Sequence, residues 1–76
     1  MGENDLKEQC EKAEEIYLRA KRRAGWLERR MYDAPTEELF TMLSAELEKQ
    51  EKLVNTLAAA ALSARYKYLA SKGGVL

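Results

Sequence analysis

The chain has 76 residues, 34% of them charged, with 13 basic and 13 acidic side chains, a formal net charge of zero, and no histidine. A chain this short has room for one domain and little enclosed core, and its balanced charge leaves no net field to recruit nucleic acid or an anionic membrane. Without histidine, with Cys10 as the sole cysteine and with no glycine-rich phosphate loop, it offers no nucleophile–base pair and no metal-ligand set. The expectation is a protein that is not an enzyme and needs neither cofactor nor metal.

At the N-terminus, Met1-Gly2 hints at myristoylation, but Leu6 stands where that motif wants Ser or Thr. The basic-then-apolar layout of a signal peptide is missing, a lone cysteine cannot make an internal disulfide, and no apolar run is long enough to span a bilayer. A cytoplasmic protein is expected. The first helix is expected over about 5–32, with Asn4 as N-cap and Asp5 and Glu8 in the first turn. Its apolar residues Leu6, Cys10, Ala13, Tyr17, Ala20, Ala24, Leu27 and Met31 are spaced alternately by four and three, an unbroken heptad seam.

The only proline, Pro35, lies in Asp33-Ala34-Pro35-Thr36-Glu37-Glu38, where it can start a helix but not continue one, so a turn is expected over about 33–36. A second helix follows over about 36–72, with seam residues Phe40, Leu43, Leu47, Gln50, Val54, Leu57, Ala61, Ala64 and Tyr68 and a glycine stop at Lys72-Gly73-Gly74. The chain as a whole, residues 1–76, thus reads as one all-α domain, an antiparallel two-helix hairpin of coiled-coil type.

Charge supports the fold-back. Residues 3–15 are mainly acidic, 19–30 mainly basic, 37–51 acidic and the tail from Arg65 basic, so folding at Pro35 sets each acidic block beside a basic one. Matching flanking positions by hand puts Ile16 against Leu53, Arg23 against Glu46 and Lys21 against Glu51, with Lys7 opposite Arg65 as a mismatch. Tyr17 falls between Gln50 and Leu57, where its hydroxyl could satisfy the one polar seam residue.

Adjacent carboxylates Glu14-Glu15 and Glu37-Glu38 point about 100° apart on a helix and read as solvated acids. Cys10, on the seam, reads as a small buried hydrophobe. The basic run Arg19–Arg30 is the best nucleic-acid signal, but the hand register already gives Lys21 and Arg23 acidic partners. More informative is an apolar surplus beyond the seam. Ala59, Leu62, Tyr66 and Leu69 form a second stripe on the second helix, and Trp26 lies off the seam of the first beside Gly25, a residue that could let another backbone approach. These five side chains, Trp26, Ala59, Leu62, Tyr66 and Leu69, are the expected partner-binding residues.

From about Ile16 to Ala61 the layout resembles the small co-chaperones of type III secretion needle subunits, the YscE, PscE and SsaE-like family. The matching features are a basic first helix ending Leu27-Glu28-Arg29-Arg30-Met31, the turn Tyr32-Asp33-Ala34-Pro35, and a second helix opening Thr36-Glu37-Glu38-Leu39-Phe40 that becomes alanine-rich. The resemblance implies a short hairpin that binds a tetratricopeptide-like chaperone and helps keep the needle subunit monomeric in the bacterial cytoplasm until export. Two other readings stand beside it: a Rop-like homodimeric four-helix regulator that binds RNA, and a purely structural coiled-coil element.

Overall fold

Heptad seams and a central proline dictate two helices and a bend, and a computed structural model, which describes residues 3–72, has that form. Helix α1 runs Glu3–Tyr32 and helix α2 runs Glu37–Ser71, packed against each other as an all-α hairpin, with no strand among the described residues. At 1.5 Å per residue these helices are about 45 and 52 Å long. The particle measures 54 × 18 × 16 Å, and its radius of gyration of 16.9 Å far exceeds the roughly 11 Å of a compact globule of this chain length.

The turn is closed by backbone bonds from Asp33 N to Arg29 O and from Ala34 N to Met31 O, each 3.2 Å. Thr36 is the N-cap of α2: its backbone is extended and its Oγ1 accepts from Leu39 N at 3.2 Å. Pro35 therefore stands one residue before the cap and not at the first helical position; it ends the approach to α2 without entering it. Arg29 and Arg30 occupy the last turn of α1 and Glu37 and Glu38 the first turn of α2, each sign suited to its end of the helix dipole. Asn4 lies inside α1, since helical backbone already includes Glu3, so it is not the cap. The glycine stop at Gly73-Gly74 and the Met1-Gly2 start fall outside the described residues.

The core is a single seam. Cys10, Ala20, Leu27 and Ala61 are buried, and the other seam positions are half-buried. Phe40 is the exception: at 43% exposure it stands at the edge, and Leu39 turns inward instead. The seam of α2 thus starts at Leu39 and Leu43.

Polar links across the seam depart from the matching of flanking positions, first because of side-chain direction. Side chains on a helix lean toward its N-terminus, and in an antiparallel pair these directions are opposed. Arg65 leans toward the turn and Glu14 away from it, so they meet at 2.8 Å, the one ion pair between the helices among the described residues. This replaces the expected clash of Arg65 with Lys7. Both partners are half-exposed, so the bridge contributes at most about 1 kcal/mol. No ion pair joins Arg23 to Glu46 or Lys21 to Glu51; Arg23 lies over the Trp26 ring and Lys21 over the Tyr17 ring, each 5.9 Å from the centroid. Gln50 is satisfied by the backbone and not by the Tyr17 hydroxyl: its Nε2 donates to Ala20 O at 3.1 Å. Because Ala20 has no bulk, the amide reaches the carbonyl directly, and a part-buried polar bond on the seam favours one register of the two helices.

Candidate partner-binding surface

Positions seven apart share one stripe of a coiled-coil helix. On α1, Leu18, Gly25 and Tyr32 form such a stripe; on α2, Asn55, Leu62 and Leu69 form another. The structure brings the two stripes to the same broad face. Leu18 and Leu62 are the shoulders of a recess of about 370 Å³ floored by Tyr17, Ala58 and Ala61, with the Glu14–Arg65 pair at its outer end. Next to it toward the turn, Gly25 and Asn55 face each other over a second recess of about 320 Å³, lined also by Ala24, Leu47 and Val54.

Both hollows arise from composition. Alanines at 20, 24, 58 and 61 leave little side-chain volume between the helices, and a Cβ built at Gly25 meets nothing within 4 Å. No packing within the chain requires glycine there, although it costs about 1 kcal/mol relative to alanine in a helix interior. The edges of the hollows are charged: Glu14 also accepts from Cys10 Sγ at 3.8 Å, a weak donor, while Lys21, Glu28 and Glu51 border the second recess.

The five residues singled out from sequence are all exposed, but they do not form one patch. Leu62, 67% exposed, and Leu69, 45% exposed, border the grooved face. Ala59 and Tyr66 are seven apart on a neighbouring stripe, on the outer edge of α2, with Tyr66 61% exposed. Trp26 follows Gly25 by one residue, a rotation of about 100° that carries it over the back of α1 to the opposite broad face. There Arg23 and Arg30 lie over its ring at 5.9 and 5.3 Å. Leu18, 47% exposed and not among those five, belongs to the face because α1 and α2 build it jointly; its heptad position, equivalent to that of Leu62, is the sequence signal for it.

The amount of uncovered surface is large for the chain. A compact protein of 8.7 kDa exposes about 4,700 Å², whereas the hairpin exposes 6066 Å². The difference goes with the elongated two-helix shape, 54 Å long and 18 × 16 Å across. No group of three or more metal-ligating side chains occurs among the described residues, and no helix there is long and apolar enough to cross a membrane. Comparison with protein-family models, curated proteins and solved structures finds no match.

Proposed function

We propose that the chain is a non-catalytic adaptor, a co-chaperone hairpin that lays its grooved face against a larger helical chaperone of tetratricopeptide-like build. Through that chaperone it helps hold a type III secretion needle subunit soluble and monomeric in the bacterial cytoplasm before export. The observation that carries the reading is the grooved face itself: two apolar shoulders, Leu18 and Leu62, flanking one hollow, with a second beside Gly25 and Asn55, neither filled by any of the described residues. A groove between two near-parallel helices takes the side-chain ridge of a third helix, so helical repeats are the fitting partner class. Covering Leu62 alone, two-thirds exposed, would contribute about 1–2 kcal/mol before the cost of association. The likeness of the hairpin, turn placement and alanine-rich second helix to needle-subunit co-chaperones supports the more specific role.

The test is co-expression with a tetratricopeptide-like chaperone from the same secretion system, followed by gel filtration and melting. A seam with so few buried side chains predicts low stability for the isolated chain. A partner present at a hundred times its Kd adds about 2.7 kcal/mol, which for a chain of this length raises the Tm by roughly 10–20 °C. Separate elution and an unshifted Tm would remove the proposal.

A further inference from the structure

Trp26 is surrounded on its own helix by arginine. Its neighbours at i−4, i−3, i+3 and i+4 are Arg22, Arg23, Arg29 and Arg30, the four positions adjoining a helical side chain. None of the four has a carboxylate within ion-pair distance among the described residues, and all are exposed. Arg23 and Arg30 approach the indole to 5.9 and 5.3 Å, holding in place a ring that remains 47% exposed. The result is a flat apolar platform bordered by unneutralised guanidinium groups, on the broad face opposite the groove.

We propose that this platform is a second docking surface, for an acidic helical segment of another protein. An apolar side chain of that segment lies on the indole, and its carboxylates are taken by the arginines, whose planar forks match carboxylate geometry. Charge complementarity selects this occupant. The four arginines span about 12 Å of helix. On the stripe of Arg29 and Arg22 the sign reverses at Glu15 and Glu8, and at the turn Asp33 follows seven residues after Trp26. A short acidic segment fits within those limits. An extended polyanion or a flat anionic bilayer runs into the carboxylates at both ends. The surface is independent of the grooved face, so both could be occupied together.

Trp26 is the only tryptophan, so its fluorescence reports the site directly. The probe is a synthetic helix with glutamates at i, i+3, i+4 and i+7 around a leucine, titrated into the full chain at low salt. It is expected to shift the emission and to bind about ten-fold or more tighter than the same peptide with glutamine for glutamate, weakening as salt rises. The double variant Arg23→Gln/Arg30→Gln, at exposed helical positions with little change in helix propensity, should lose that margin with its circular-dichroism spectrum unchanged. Leu62→Asp should leave the titration unaltered. Equal binding of the glutamine peptide or no emission change overturns the proposal. So does tighter binding of a single-stranded RNA or of phosphatidylserine vesicles, and so does a self-association in sedimentation that blocks the peptide.

Discussion

Gly25→Ala separates what the hairpin needs for folding from what it leaves open for a partner. Gly25 sits inside α1, and a methyl group at its Cβ position meets no atom within 4 Å. Folding should therefore gain the full helix-propensity difference, about 0.8–1.0 kcal/mol, with no packing cost to offset it. For a chain of this length that raises the Tm of the isolated hairpin by roughly 4–8 °C, read from ellipticity at 222 nm. The same methyl projects into the recess beside Asn55 and Val54. If a partner's side chain occupies that space, overpacking costs about 1–3 kcal/mol, or about 5- to 150-fold in Kd by calorimetric titration. An unchanged or lower Tm would refute the description of Gly25 as an unobstructed helical site. Greater stability with full affinity would show that the partner does not use this recess.

Two further substitutions probe the seam. Leu27→Ala removes the most buried side chain, 4% exposed, and should cost about 2–5 kcal/mol; thermal melts of the isolated chain should show it largely unfolded at room temperature, and a shift of only a few degrees would mean the seam is not the core. Gln50→Leu deletes the bond to Ala20 O, a carbonyl that also accepts its own intrahelical bond. It should leave stability equal or raise it by up to about 1 kcal/mol while loosening the register. Spin labels at Leu6 and Ala64 would then give a broader distance distribution than in the unsubstituted hairpin, and an unchanged distribution would show that Gln50 does not set the register.

The helices and their bend were legible because heptad spacing and a lone proline are local signals, each read without knowing what the other helix does. The seam was legible for the same reason, except at Phe40, where the geometry of the first turn after the cap decides between Leu39 and Phe40. Ion pairs and the partner of Gln50 were not legible from alignment of positions. They depend on which way side chains lean and on how closely the backbones approach, so Arg65 found Glu14 and Gln50 found a main-chain carbonyl left accessible by Ala20. The candidate surface was half legible: Leu62 and Leu69 stood out as a stripe, but the face they border is made jointly with Leu18 and Gly25 of the other helix. Trp26 does not share that face, because the rotation of about 100° from Gly25 puts the indole on the opposite one among arginines.

The central claim, that the grooved face binds a partner while the seam holds the hairpin, is tested most directly by comparing Leu62→Asp with Leu57→Asp in the same binding assay, with helicity measured on each sample. Leu62 is 67% exposed, so an aspartate there is solvated and should leave the helical spectrum intact. It should nevertheless abolish complex formation, since a carboxylate buried against an apolar ridge finds no partner. Leu57 lies half-buried on the seam, and its replacement should collapse the helical signal and the binding together. Loss of binding by Leu62→Asp at full helicity is the result the account predicts; binding that falls only in proportion to lost helicity in both variants would contradict it.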